Sequence, residues 1–256
     1  HPSRRYTLEK NHFPNAENVF FARDRSKDKK HMLFIDHYLP HYDQDAGSKV
    51  AHQYLKLFSK SLNIKFIGDN FYDYPGTPYL TALTDLGIEV LYGTWYNKNW
   101  ENWIKENGKY FEYIVISRPH ISIKYIDIIK EYTNAKIIYF GHDLHFLREK
   151  REYNLKKEKI FLKNSEKWKD LEFELMNKVD ASYFFSDVEK QEINQIDKNL
   201  YIDVVPLYIY ESFDEVEYIP EKRKDIMFVG GFRHGPNVDA MRWFVKEIWP
   251  KIQENI

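Results

Sequence analysis

The sequence predicts an α/β protein: a doubly wound parallel sheet, followed by the first strand–helix unit of a second domain of similar build. Three observations carry that expectation. Short apolar runs of strand length alternate with longer segments of helical spacing along most of the chain. Near residues 30–57, an apolar run stops at Asp36-His37, a loop follows, and Ala46-Gly47-Ser48 opens a segment with Val50, Ala51, Tyr54, Leu55 and Leu57 at helical spacing. A strand, a glycine turn and a helix return in the same order at 225–256.

Residues 1–30 end in RDRSKDKK, are polar and lack a clear period, so a lead-in segment is expected there. Strands are predicted at 32–35, 64–67, 89–91, 113–116, 136–140, 181–185 and 201–204. Helices are predicted after the first loop and near 78–86, 97–107, 121–132, 155–178 and 187–195. This alternation implies right-handed crossovers and a sheet covered on both faces, within a first domain at 31–212. The charged stretch SFDEVEYIPEKRK contains Pro220 and supplies a linker at 213–224. Beyond it, 225–229 reads as a strand, Gly230-Gly231 as a turn, and 237–256 as a helix with Val238, Met241, Phe244, Val245, Ile248 and Ile252 on one side. About thirty residues cannot bury a core alone, so the second domain is expected to continue elsewhere. With His1 at one end and an unfinished helical pattern at Ile256, both ends are expected to be cuts in a longer chain.

Hydrophobic residues make up 43% of the chain, enough for a proper core. The 38 basic and 39 acidic residues leave a formal charge of -1, so no global field steers the protein toward nucleic acid, and no nucleic-acid partner is expected. Cysteine is absent, which removes disulfides, thiolate metal sites and a cysteine nucleophile. No apolar run approaches the ~18 residues of a membrane span, and the amino end lacks a signal-peptide core. Cytoplasm is the expected location. The segment 148–170 carries nine Lys or Arg against five Asp or Glu, with apolar residues interspersed. It reads either as a solvated helix face or as a peripheral contact at the inner face of a membrane.

The chemistry-bearing residues collect at predicted strand ends, where an open parallel sheet binds ligands. The loop from Asp36 to Ser48, beginning with His37, is the first such place. In KIIYFGHDLHFLRE, Gly141, His142, Asp143 and His145 follow a buried-type strand. A histidine there can bond a sugar hydroxyl or assist proton transfer; the plainer alternative has Asp143 as a helix cap and the histidines merely exposed. The His-x-x-His spacing comes with neither the zincin glutamate nor cysteine, so no metal is expected. In SRPH, Ser117 and Pro119 fit capping and the first helical turn, while Arg118 and His120 favour a ligand. Gly230-Gly231-Phe232-Arg233-His234-Gly235 sits where main-chain NH groups favour a phosphate, though it matches neither the dinucleotide fingerprint nor the P-loop. Ser186 and Glu189 have capping-box spacing. Trp100 and Trp103 fit a helix packed on the sheet better than a sugar platform that would include Trp95.

Taken together, LFIDHYLPHYDQDAGSK, TALTDLGIEVLYG, VISRPHIS, IIYFGHDLHFLRE and DIMFVGGFRHGPNVDAMRWFVKEIWPKI resemble the group 1 glycosyltransferases, the retaining GT-B enzymes of glycosyltransferase family four, bacterial surface-polysaccharide members above all. The resemblance covers roughly 32–256. It implies two Rossmann-like domains facing a cleft, the first binding a glycan or lipid-linked acceptor and the second a nucleotide-sugar donor. Gly47 and Ser48 match the loop that approaches donor phosphate and acceptor, and His142 matches the histidine that contacts the donor sugar. Gly231 and Arg233 fall where the family handles the diphosphate. His37, Arg118, His120, Asp143 and His145 are then candidate acceptor or substrate contacts. The implied chemistry is transfer with retention, without a metal, a cofactor or an enzyme nucleophile, and with leaving-group charge held by cations and helix NH groups. The family's Glu-x7-Glu element has no counterpart before Ile256, its Pro-Asn-Gly is here Pro206-Leu207-Tyr208, and the first loop has one glycine in place of a pair. A noncatalytic GT-B-like module that binds a glycan or a partner, and a GT-B nucleotide-sugar epimerase, are the competing readings.

Overall fold

The computed structural model describes residues 2–12, 16–72, 76–210, 212–213, 225–232 and 235–254. The chain divides into two compact units, His1–Tyr210 and Glu211–Ile256.

The first unit is a Rossmann-like domain. Its strands are β1 (Lys30–Asp36), β2 (Leu62–Gly68), β3 (Glu89–Leu91), β4 (Tyr113–Ser117), β5 (Lys136–Phe140), β6 (Ala181–Phe184) and β7 (Ile202–Val204). They form one sheet in the order β3-β2-β1-β4-β5-β6-β7, with every pairing parallel. The order reverses between β1 and β4. Successive loops leave the sheet on opposite sides there, which opens a crevice at the carboxyl ends of the strands.

Alternation along the strands separates two cores. On one face, Leu33 and Ile35 of β1 join Ile114 and Ile116 of β4 and Ile137 and Tyr139 of β5. Trp100, Trp103 and Ile104 of α4 (Thr94–Asn107) and Tyr125, Ile126 and Ile129 of α5 (Pro119–Tyr132) cover them. On the other face, Met32, Phe34, Ile64 and Phe66 pack under Val50, Tyr54 and Leu55 of α2 (Ala46–Ser59) and Leu83 of α3 (Pro78–Asp85). Each such buried aliphatic side chain stabilises the fold by roughly 1.5–3 kcal/mol, so the helices stay because of the sheet they cover. Trp100 and Trp103 are core residues, whereas Trp95 is exposed.

The elements depart from expectation at three places. The helix predicted over 155–178 is α7 (Lys159–Lys178), and an unexpected helix, α6 (His145–Lys156), precedes it, parted from α7 where Lys157 adopts a left-handed φ of 58°. Charged residues dilute the apolar spacing of α6, which buries only Phe146 and Leu147. The lead-in contributes a helix, α1 (Pro2–Asn11), and a 3₁₀ turn at Ala16–Phe21 whose Phe20 packs against the core. Arg25 then donates to the carbonyls of Thr84 and Asp85 at 2.8 and 2.7 Å, which ties the segment to the end of α3.

The second unit presents α9 (Gly235–Trp243), a π-helical turn at Phe244–Ile248 and α10 (Trp249–Gln253); α8 (Asp187–Ile196) belongs to the first unit. Val238, Met241, Phe244, Ile248 and Ile252 are half-buried, as the apolar stripe requires, but Val245 is exposed. The strand expected at 225–229 is irregular, with Met227 and Val229 exposed. A strand needs a hydrogen-bonding neighbour, and the described residues of this unit supply none. Most of the expected linker lies outside the described residues.

Candidate functional site

Three strand ends converge at the crevice. Asp36 closes β1 and is almost fully buried, with its Oδ1 accepting from the His37 backbone at 2.7 Å and from Arg118 Nε at 2.8 Å. Arg118 follows β4 with a φ of 66°, a conformation that costs a non-glycine residue on the order of 1 kcal/mol and persists only when surroundings fix it. The Asp36 ion pair is that fixing element. Burial would lower the arginine's pKa, but Asp36 outweighs it and holds the group firmly charged.

His142 follows β5. Gly141 before it lies so close to the Phe184 ring that a Cβ would overlap the ring, and this close approach sets the path of the loop. Ser117 at the end of β4 is fully buried, and its hydroxyl meets His142 Nε2 at 2.9 Å. Burial lowers the His142 pKa, with Asp36 opposing and Arg118 adding to the effect. The imidazole is therefore neutral near pH 7, with Nε2 committed to Ser117, its ring against Phe140 and Phe185 and its Cε1 edge toward Gly47. A Cβ on Gly47 would stand 3.0 Å from Arg118 Nη2 and 3.7 Å from His142 Cε1. Gly47, Arg118 and His142 thus enclose one point.

Ser48 sits differently. It is buried, and both its N–H and its hydroxyl bond to Asp45 at 2.8 and 2.7 Å. Asp45 is the N-cap of α2 and also accepts from Tyr38 at 2.9 Å. Burial alone would raise the Asp45 pKa, but these hydrogen bonds lower it, so it is a carboxylate at neutral pH. A phosphate at Ser48 would have to displace that carboxylate.

The remaining histidines form a row. His37 and His120 have ring centres 5.8 Å apart, and His120 and His145 6.4 Å apart. Burial lowers the His120 pKa, helped by His37, His145 and Arg118. His145 is bound inward: its backbone N–H and Nδ1 both meet Glu172 Oε1, at 2.8 and 3.1 Å, and its ring lies 4.5 Å from that of Trp168. Asp143 does not cap α6. It pairs with Arg148 at 2.6 Å, and the cap comes instead from Glu172 of α7, a buried carboxylate that also accepts from Phe146 N–H at 3.2 Å. Ser186 caps α8 through Val188 N–H at 3.1 Å, while Glu189 turns away from a capping box to accept from the Leu144 backbone.

Asp36, Asp45, Ser117 and Glu172 carry this site without having been singled out as ligand-facing. A signal existed for two of them. Asp45 stands three residues before Ser48, the N-cap spacing, and Glu172 lies on the apolar face of α7 between Trp168 and Met176. Among the described residues, no group of three His, Asp or Glu is arranged to hold a metal ion. Gly231 is exposed in the second unit, its carbonyl accepting from Asn237 at 3.0 Å; Arg233 lies outside the described residues. The basic segment 148–170 forms most of the α6–α7 hairpin, with Leu155 and Ile160 exposed, and no described helix is long and apolar enough to cross a membrane.

No protein-family model matches the chain, and no curated protein matches it. Among solved structures, the chain is similar to the crystal structure of Medicago truncatula UGT71G1 complexed with UDP-glucose, at 12% identity and a TM-score of 0.46, over 76% of this chain and 55% of that one. The present chain therefore spans about half the length of that protein. Neither a family nor an activity follows from a likeness at that level.

Proposed function

We propose that the first unit is the acceptor-side domain of a retaining glycosyltransferase that moves a sugar from a nucleotide-sugar onto a glycan or lipid-linked acceptor in surface-polysaccharide synthesis. The observation that carries this reading is the meeting of Gly47, Arg118 and His142 at the strand ends on either side of the order reversal. A neutral, partly desolvated imidazole beside a fixed guanidinium can bond sugar hydroxyls and can sense charge that develops as a glycosidic bond breaks. Asp36 and Asp45 leave little room for a diphosphate here, which fits donor phosphate handled by the second unit near Gly231 and Arg233. In this reading no metal or cofactor takes part, and the enzyme works in the cytoplasm.

The test is nucleotide-sugar turnover in the natural full-length protein and its His142→Ala variant. A loss of about 10²–10⁴-fold with an unchanged far-ultraviolet spectrum is expected, the range over which a positioned acid–base group acts. Wild-type turnover in the variant would remove the assignment. Conversion of the nucleotide-sugar at full rate without an acceptor would favour an epimerase.

A further inference from the structure

Beside the crevice, the first unit holds a cavity of about 390 Å³ lined by α6 and the start of α8. Its apolar wall is Leu147, Leu155 and Val188, and its polar wall includes Asp143, Arg148, Arg151 and Glu189. Asp143 directly follows His142, so the cavity begins one residue from the crevice. The volume lies in the range of about 300–1,000 Å³ typical of small-molecule sites.

The charges of this edge say what such a ligand is not. Arg148 is already paired with Asp143, and Arg118 with Asp36. Helix amino termini are the usual phosphate cradles, because their free N–H groups and dipole favour an anion. At the two helices that line the cavity those cradles are filled from within: Glu172 and Glu189 take the N–H groups of His145, Phe146 and Leu144 at α6, and Ser186 takes that of Val188 at α8, whose first turn carries Asp187 and Glu189. An incoming phosphate would meet these carboxylates before any uncommitted dipole. Hydroxyl groups face no such barrier, since they donate to carboxylates and accept from guanidinium N–H groups. Burial, with Asp143 adding to it, pushes the Glu189 carboxyl up to about 7, so near neutral pH this side chain both donates and accepts.

We propose that the cavity takes an uncharged polyhydroxylated ligand, the saccharide of a glycan acceptor, and not a phosphorylated or lipid-phosphate one. This rests on the glycosyltransferase reading and narrows its acceptor. The sugar's C–H face lies on Leu147, Leu155 and Val188, and its hydroxyls bridge the acids and arginines opposite.

The test is a backbone-amide NMR titration of this chain with a panel of neutral mono- and disaccharides, with the matching sugar phosphates, and with phosphatidylglycerol vesicles. At least one neutral sugar should shift the amides of Leu147, Arg151 and Val188, and its affinity should fall at least tenfold in Val188→Trp, which fills the cavity from a half-exposed position, and severalfold in Arg151→Gln. The proposal is overturned if a phosphorylated sugar or the vesicles bind these amides more tightly than every neutral sugar, or if no sugar of the panel shifts them. Saccharide binding in a protein that consumes no nucleotide-sugar would keep this site and remove the transferase reading. Transfer onto a phosphorylated acceptor would do the reverse.

Discussion

Two clusters of buried charge sit on the same sheet, and they differ in what they leave open. Toward the amino-terminal ends of the strands, Lys65 is 1% exposed and bonds Glu89, with Asp24 at 3.7 Å. Asp24 also meets His31 at 2.7 Å, and the Phe20 ring centre lies 4.3 Å from the ammonium. Every partner there is another residue of this chain, two of them from the lead-in. At the carboxyl-terminal ends, Arg118 pairs with Asp36 through Nε but is held at a positive φ and turns its Nη2 toward a glycine. Burial of charge closes the first cluster and fastens a strap. In the second it points a cation and a neutral imidazole at a gap.

The closed cluster should show the largest effect on stability. Lys65→Ala removes the buried ammonium that Glu89 and Asp24 share, leaving Glu89 only the exposed Arg23 at 3.7 Å and Asp24 only His31, and should lower the unfolding free energy by about 3–5 kcal/mol, as read from urea unfolding. A loss below about 1 kcal/mol would mean that the strap is held by the Arg25 carbonyl contacts instead. The crevice pair should cost less, because strain is relieved as the charge is lost. Arg118→Gly should be more stable than Arg118→Ala by about 1 kcal/mol, since only glycine adopts that φ freely. Equal stabilities would show that the backbone there is unstrained.

The contrast also explains what could be read in advance. Strand and helix periodicity gave the seven strands of the first unit within a residue or two, because alternation and helical spacing are imposed by burial on one face. The strand ends at Asp36, Ser117 and Phe140 were legible as the carboxyl edge of the sheet, with Arg118 and His142 just beyond two of them. What was not legible depends on contacts far apart in sequence. Glu172 reaches 27 residues back to His145, and Arg118 reaches 82 residues back to Asp36. No local pattern announces such a pairing. The strap was missed for the same reason: RDRSKDKK looks solvated until Lys65 and Thr84 are brought to it. The strand expected at 225–229 had a suitable apolar run, but a strand is a property of a pair.

A smaller effect should separate the two clusters by pH. The folded state holds His142 and His120 with lowered pKa values, so the unfolded chain binds protons more readily below about pH 6.5, and stability must fall as the pH drops through that region. His142→Asn should flatten the difference in unfolding free energy between pH 7.5 and pH 5.5. An unchanged slope would place the titration elsewhere.

Gly47→Ala tests the central claim most directly, because it separates folding from function at one atom. Alanine gains about 0.5–1 kcal/mol of helix propensity here, while its methyl needs Arg118 Nη2 at 3.0 Å and Asp45 Oδ1 at 3.4 Å to give by a few tenths of an ångström, so the unfolding free energy should stay within about 1 kcal/mol of the original. Its methyl would stand 3.0 Å from Arg118 Nη2 and enter the point enclosed by Arg118 and His142. If that point is where substrate sits, nucleotide-sugar turnover in the full-length protein should fall at least tenfold while the stability changes by no more than about 1 kcal/mol. Full turnover in a stable Gly47→Ala protein would mean that the gap between Arg118 and His142 is packing and that the active site lies elsewhere.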